Sequence, residues 1–262
     1  MSRWLAAGLI LAASACGAGS ERVIVAAGTT LVDSGLMDAV VAEYEALHPG
    51  VEVSVVAEPT ALALELGRRG AVDLLIVHAS EQEAIFVEQG HGFASRSLVE
   101  SRFVLVGPPD GIAPSGLPVT EAFHAIASAG RTFVSRGDLS GTHDRELSLW
   151  AVLEVDPGPQ EWYIESGQGM GQTLLIADQR SGFTLAELGA FLEARDALSL
   201  VDYQVTGEEL ANPYTAYVAT SASNRDGAVE LLEWLGSPEG TAVIESVNIR
   251  LFGEVVYRPV TE

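Results

Sequence analysis

The sequence predicts an α/β protein of two lobes, each a mostly parallel sheet flanked by helices, with a ligand cleft between the lobes. Short apolar segments alternate with amphipathic helical patterns along most of the 262 residues. Turns rich in Thr, Ser and Gly follow several of the apolar segments. A Pro/Gly cluster at 108–111 interrupts this alternation, which restarts at 119 and so indicates a second lobe.

The first half of the chain predicts repeated strand–turn–helix units. Residues 23–27 form an apolar strand, and residues 33–35 begin a helix whose apolar side chains recur every three or four positions. Pro49 and Gly50 end that helix. Further strands are predicted at 51–56, 72–77 and 103–107, and further helices at 62–67 and 81–89.

The second half continues the alternation. Strands are predicted at 131–135 and 212–218, and helices at 121–129, after the Ser-Gly-Thr turn at 140–142, and at 172–179, 185–194 and 241–247. Further apolar segments stand at 162–165 and 230–235. We expect residues 23–107 and 213–262 to form lobe 1 and residues 108–212 to form lobe 2. The final segment would then return to the first lobe.

The N-terminus has the pattern of an export signal. Arg3 precedes a short apolar run, and small residues precede Cys16, so residues 1–15 are predicted to be a signal peptide. Cys16 is the only cysteine, which rules out an internal disulfide and suggests a lipidated N-terminus followed by a tether at 16–22. Cleavage nearby with an unmodified thiol is the alternative. Either way, we expect a periplasmic or cell-surface location.

The charge balance excludes one class of partner. Thirty-six acidic residues stand against 14 basic ones, giving a net charge of −22. Such a surface repels nucleic acid almost everywhere, so a nucleic-acid role is not expected. A small anion can still bind, because a desolvated site is governed by its own donors and salt screens the distant charges within about 10 Å.

The segment 136–143, with the sequence RGDLSGTH, contains the strongest site signal. Arg136 precedes a Ser140-Gly141-Thr142 turn that opens a helix, and a helix N-terminus presents unsatisfied N–H groups to an anion. The hydroxyls of Ser140 and Thr142 add neutral donors, and Arg136 adds a charged fork. This pattern predicts an oxyanion site. The alternative is an ordinary Ser N-cap with Arg136 in a surface ion pair.

Three threonines follow predicted strands and extend this hypothesis. Thr29 and Thr30 come after the first strand, and Thr60 comes after the second. In open α/β sheets, ligands lie beyond the carboxyl ends of the strands, so these side chains are candidates to join Arg136 there. Each threonine taken alone is also a common cap or turn residue.

Two carboxylates bear on which anion the site accepts. Asp33 stands where a helix N-cap is expected, and Asp138 stands where it can orient Arg136. A carboxylate pointing into the site would accept a hydrogen bond from the protonated oxygen of phosphate, whereas it would repel a fully deprotonated anion. The capping and orienting roles are the simpler interpretations.

An enzyme reading has weaker support. Ser140, His143 and Asp144 suggest a hydrolase, but residues this close on one turn rarely form a working nucleophile–base pair, and no G-x-S-x-G elbow occurs. No two histidines have metal-ligand spacing. The glycines at 167, 169 and 171 do not fit a dinucleotide fingerprint. We therefore expect no catalysis, metal or cofactor.

The ordered motifs of the chain resemble the substrate-binding component of tungstate ABC transporters, a family with the two-lobe periplasmic-binding-protein fold. The matching segments are spread over nearly the whole mature chain and are Thr29-Thr30 with Asp33-Ser34-Gly35-Leu36, Leu66-Gly67-Arg68-Arg69-Gly70, Asp73 to His78, Val106-Gly107-Pro108, Arg136 to His143, Trp162-Tyr163, Gly167 to Gly171, and Leu210 with Asn212-Pro213-Tyr214. The resemblance implies closure about a hinge on tungstate or molybdate, and delivery to a permease and an ATPase.

Carried over position by position, the resemblance implies a ligand set. It consists of Thr29, Thr30, Thr60, Arg136, Ser140, Gly141 and Thr142. The turns at 28–31 and 59–62 depart from the family pattern, since only the threonines match, and Arg102 is a further departure. The altered turns leave open another tetrahedral oxyanion such as phosphate or sulfate, or an oxyanion-sensing domain. The membrane would be reached only through a lipid anchor, and a monomer is expected.

Overall fold

The computed structural model describes residues 21–110 and 115–260. The predicted signal peptide, Cys16 and most of the tether lie outside these residues. The strand β1 begins at Glu21, so the last two residues of the predicted tether belong to the sheet. Among the residues described, no helix combines the length and apolar character that a bilayer crossing requires.

Ten strands are present in the described residues. They are β1 (Glu21–Gly28), β2 (Val51–Glu58), β3 (Leu74–Val77), β4 (Gly92–Gly107), β5 (Phe133–Ser135), β6 (Tyr163–Glu165), β7 (Thr184–Glu187), β8 (Val201–Asp202), β9 (Ala211–Ala219) and β10 (Arg258–Pro259).

The same residues form ten α-helices and two short 3₁₀ turns. The helices are α1 (Thr29–Asp33), α2 (Leu36–Leu47), α3 (Thr60–Arg68), α4 (Ser80–Glu88), α5 (Val119–Ser128), α6 (Gly141–Val152), α7 (Met170–Gln179), α8 (Leu188–Ala194), α9 (Arg225–Leu235) and α10 (Pro238–Phe252), and the 3₁₀ turns are Arg195–Ala197 and Glu208–Leu210.

The α/β class with flanking helices is confirmed, but the main sheet is mixed rather than mostly parallel. Its strand order is β10-β4-β9-β3-β1-β2, and β7 and β8 also pair with β4. The pairs β1–β2 and β1–β3 are parallel, as expected for strands joined by helices. The long strands β4 and β9 run antiparallel to their neighbours, and the separate pair β5–β6 is parallel.

The strand β4 connects two groups of core residues. Its first part pairs with β9 up to Arg102, and from Phe103 onward it pairs with β7. Phe103 and Leu105 pack in one apolar cluster, whereas Val104 and Val106 pack in another. Successive side chains of a strand face opposite sides of the sheet. Both clusters consist otherwise of residues after 118. The lobe boundaries stay a prediction, and this packing favours a crossover near 102 rather than after 107.

One predicted element is wrong in type. The helix expected at 185–194 is a strand through Glu187 followed by the helix α8. Residues Thr184–Glu187 are fully buried and pair with β4, so a neighbouring strand determines their conformation. The other predicted strands and helices of the sequence analysis occur in the structure, mostly with bounds that differ by a few residues. The exception is the strand predicted at 103–107, which begins eleven residues earlier as β4 at Gly92.

Candidate functional site

The candidate site begins where the parallel strands end. Gly28 at the end of β1 lies opposite Glu58 at the end of β2, and β3 pairs with the other side of β1. The helices α1 and α3 begin just beyond these ends, at Thr29 and Thr60. The threonines that the sequence singled out therefore follow two adjacent strands at one edge of the sheet.

Arg136 reaches this edge from the segment between β5 and α6. Its side chain is fully buried, and its Nη2 atom donates to Thr29 Oγ1 at 2.8 Å and to the carboxylate of Asp138. The atoms Nε and Nη1 have no hydrogen-bond partner. The guanidinium thus connects the loop before α6 to α1, and it keeps two donor atoms unpaired.

The loop around Arg136 is held in a defined shape. The carboxylate of Asp138 accepts a second hydrogen bond, from the N–H of Ser140 at 3.1 Å, so the predicted orienting role of Asp138 is confirmed. Gly137 has a φ of +61°, and a Cβ there would lie 2.7 Å from the Cβ of Glu165. Only glycine satisfies both the conformation and the close approach.

The first turn of α6 packs directly against the end of β3. Ser140 is the N-cap, and its Oγ accepts the N–H of His143 at 3.3 Å. A Cβ on Gly141 would lie 2.4 Å from the backbone oxygen of His78. Thr142 is buried, and its Oγ1 has no hydrogen-bond partner. The predicted Ser-Gly-Thr turn therefore lies against the segment that follows β3.

Buried polar atoms without partners are concentrated in these residues. Over 21–110 and 115–260, such side-chain atoms are Thr60 Oγ1, Arg136 Nε, Arg136 Nη1, Thr142 Oγ1 and His143 Nε2. Buried polar groups are nearly always hydrogen-bonded, and leaving one unpaired costs about 1–3 kcal/mol. Most of these atoms are N–H donors, and the others are hydroxyls that can donate, so the set is suited to the oxygens of an anion.

A buried network behind the site was not predicted as such from the sequence. His78 Nδ1 lies 2.8 Å from Asn212 Oδ1, Asn212 Nδ2 donates to the hydroxyl of Tyr214, and that hydroxyl lies 2.9 Å from Thr30 Oγ1. The rings of His78 and Tyr214 stack with centroids 4.5 Å apart. Thr30 is therefore fixed by the hydroxyl of Tyr214, which lies 184 positions away in the chain.

The positive charge of the site comes from Arg136 and not from His78. Burial lowers the pKa of His78 to about 4, although the hydrogen bond to Asn212 opposes this shift. The ring is therefore neutral near pH 7. A neutral ring shapes the site without adding a second cation beside the guanidinium.

Asp33 does not have its predicted N-cap role. It is the last residue of α1, and the N-cap of the following helix α2 is Gly35, with a φ of +75°. Its carboxylate instead accepts a hydrogen bond from the N–H of Met170, the first residue of α7. Asp33 thus caps a different helix, which a local sequence rule cannot foresee.

The geometry gives no nucleophile–base pair at Ser140 and His143. The Oγ of Ser140 accepts the backbone N–H of His143, and the Nδ1 of the His143 ring accepts the N–H of Leu139 at 3.1 Å. A hydrolase of this type needs the ring to bond the serine hydroxyl. The described contacts therefore do not favour the hydrolase reading.

Glu146 is a buried acid on α6 close to this loop. Its Oε1 accepts hydrogen bonds from Trp150 Nε1 at 3.0 Å and from the Tyr163 hydroxyl at 2.7 Å. Burial raises its pKa from 4.5 to about 7, against the lowering effect of hydrogen bonds from Ser135, Tyr163 and Trp150.

This raised pKa of Glu146 predicts a pH-dependent stability. The folded protein binds the proton more tightly than the unfolded chain, so the stabilisation is present below about pH 4.5 and is lost as the pH rises through 7. Glu146→Gln keeps an accepting oxygen and removes the charge. Between pH 4.5 and pH 8 the stability of the variant should gain on the order of 3 kcal/mol relative to the wild type, measured by urea unfolding. An equal stability difference at both pH values would contradict the prediction.

Comparison with known proteins gives independent information on what this site binds. Residues 12–239 match the PBP superfamily domain. The solved structure of the tungstate ABC transporter from Geobacter sulfurreducens has a TM-score of 0.77 at 36% identity and covers 86% of this chain and 98% of that chain. The tungstate-binding protein TupA from Desulfovibrio alaskensis G20 has a TM-score of 0.76 at 31% identity and covers 92% of this chain and all of that one. TupA of Peptoclostridium acidaminophilum is 31% identical over 245 residues, which are 90% of this chain and 85% of the relative.

Proposed function

This chain belongs to the PBP superfamily, within which it is a relative of the tungstate-binding proteins of ABC transporters, and from this premise we propose how it works. It is a solute-binding protein that captures tungstate outside the cytoplasm and delivers it to an ABC importer. The observation that supports its site is the group of buried, unpartnered donors around Arg136.

The donor set suits a fully deprotonated dianion. Arg136 offers Nε and Nη1, and the hydroxyls of Thr60 and Thr142 are free to donate. Near neutral pH tungstate carries no proton, so all its oxygens accept, whereas hydrogen phosphate also needs an acceptor for its own proton. The unpartnered side-chain atoms of the described residues can all donate, and the carboxylate beside Arg136, that of Asp138, is held at both oxygens by Arg136 and by the N–H of Ser140. This arrangement favours tungstate or molybdate over phosphate.

The hydrogen-bond network behind the site determines which way the hydroxyl of Thr30 donates. If His78 donates to Asn212 and Asn212 donates to Tyr214, the Tyr214 hydroxyl is available to donate to Thr30 Oγ1. The proton of Thr30 is then free for the anion. Each group in this series of hydrogen bonds donates to the next, and the hydroxyl of Thr30 donates to the anion. Thr30 is therefore a ligand in our proposal, together with Thr29, Ser140 and Gly141.

Calorimetric titration tests the function as a whole. Tungstate, molybdate, sulfate and phosphate are titrated separately and in competition into the same protein. We expect tungstate and molybdate to bind more tightly than sulfate, and phosphate to bind most weakly. Absence of heat and of thermal stabilisation with all four anions would reject the proposal.

Removing one free hydroxyl should weaken binding without harming the fold. Thr60→Val and Thr142→Val keep the side-chain shape and delete a buried hydroxyl that has no protein partner. Each should lose about ten- to a hundredfold in tungstate affinity, as expected for a hydrogen bond to a charged group. Ligand-free stability should stay equal or rise, because an unsatisfied polar group is removed. Thr241→Val on α10 is the matched control, and a site variant that binds as this control does would remove that threonine from the site.

Lipidation, oligomeric state and catalysis also bear on how the protein works in the cell. We infer that Cys16 is the lipidated residue, that the protein is a monomer, and that it catalyses no reaction. Incorporation of labelled palmitate should disappear in Cys16→Ser, and the mass in solution should be that of one chain. Persistent labelling of the variant would place the anchor elsewhere.

A further inference from the structure

His143 holds a buried donor that no other residue satisfies. The residue is 6% exposed, and its Nε2 atom has no hydrogen-bond partner. It follows Thr142, whose Oγ1 is also unpartnered, in the first turn of α6. Such an atom carries a cost unless something pairs with it when the protein works.

The contacts of the ring fix where its proton is. The backbone N–H of Leu139 donates to Nδ1 at 3.1 Å, so Nδ1 offers a lone pair. In a neutral imidazole the other nitrogen then carries the hydrogen. Nε2 is therefore an uncharged N–H donor, and not an acceptor that an anion would repel.

The same contact places the ring over the anion loop. Side chains of a helix lean toward its N-terminus, and the His143 ring folds back to reach Leu139, between Arg136 and Ser140 in the chain. Leu139 has a φ of +59°, which is uncommon for a leucine, so its N–H is turned to the ring by an unusual backbone conformation. The ring thus belongs to the segment that presents Arg136.

We propose that His143 is a further ligand residue, whose Nε2–H donates to an oxygen of the bound tungstate or molybdate. This inference rests on the proposed function. His143 lies on the third turn, which keeps the family pattern while the other two threonine-rich turns have fewer donors, and its neutral N–H donates without changing the charge of the site. His143 then contributes to the choice among oxyanions as well as to affinity.

Two substitutions separate the two nitrogens. The amide of asparagine can take the place of Nδ1 and keep the contact with Leu139, whereas the amide nitrogen of glutamine can take the place of Nε2. The proposal expects His143→Gln to stay within about threefold of the wild-type tungstate affinity. It expects His143→Asn to lose about ten- to a hundredfold. His124→Gln on α5, which changes an exposed histidine, is the matched control and should bind as the wild type does.

Nitrogen NMR of the wild-type protein supplies the second readout. With histidine labelled by ¹⁵N, the Nε2–H signal of His143 should shift on addition of tungstate, and the Nδ1 signal should move less. The proposal is overturned if His143→Asn binds tungstate as tightly as the wild type. It is equally overturned if both variants lose affinity while the wild-type Nε2–H signal does not move, since His143 would then only anchor the loop. Failure of the wild type to bind any oxyanion is a different result, which rejects the proposed function itself.

Discussion

Arg136→Ala should lower tungstate affinity by at least about a hundredfold, the largest effect expected of any single substitution in this protein. The guanidinium is fully buried and offers two unpaired nitrogen atoms. Its removal also leaves the carboxylate of Asp138 without its cation, in the loop that presents the site. The variant therefore loses an attraction and gains a repulsion. Titration calorimetry with tungstate measures the change.

Further variants separate charge from geometry at this position. Arg136→Lys keeps a cation and loses the planar fork, so it should bind more weakly than the wild type and more tightly than Arg136→Ala. Asp138→Asn added to Arg136→Ala should recover part of the loss, because the unpaired charge is gone. Arg102→Ala, which changes a half-exposed arginine paired with Asp202, is the control. Nearly wild-type binding by Arg136→Ala would show that the site lies elsewhere.

Local sequence rules predicted the loop from Arg136 to Thr142 correctly because its information is local. A cation, a turn and a helix start lie within seven residues, and the structure forms the cap at Ser140 and the Asp138–Arg136 contact from neighbours in the chain. The strands and helices followed from their apolar periodicity for the same reason. The ligand roles of these residues stay a prediction until binding is measured.

Distant pairings could not be obtained in this way. Asn212 contacts His78 across 134 positions, and Tyr214 contacts Thr30 across 184. Neither pair has a spacing that a periodicity can detect. The short buried strand at 184–187 was assigned to a helix because four residues cannot distinguish the two periods, and the partner strand β4 decides the outcome. Asp33 shows the same limit, since it caps α7 rather than its own segment.

Gly141→Ala should be the second most damaging change to binding, for a steric reason. The added Cβ would lie 2.4 Å from the backbone oxygen of His78 and 2.8 Å from two atoms of its ring. A backbone oxygen cannot move aside as a flexible side chain does, so α6 and the end of β3 must separate. These segments belong to different lobes in the proposed division. We therefore expect the added Cβ to prevent the two lobes from closing fully. Tungstate affinity should fall by about ten- to a hundredfold or more.

The matched control for Gly141→Ala is Gly171→Ala, because both glycines lie in the first turn of a helix and no atom lies within 4 Å of the added Cβ at 171. Gly171→Ala should keep wild-type affinity and gain a little stability, since alanine favours the helix. Small-angle scattering provides the structural readout: the wild type should contract when tungstate is added, and Gly141→Ala should contract less. If Gly141→Ala contracts fully and binds as Gly171→Ala does, then α6 and β3 tolerate the added carbon, and their tight contact is not what closure depends on.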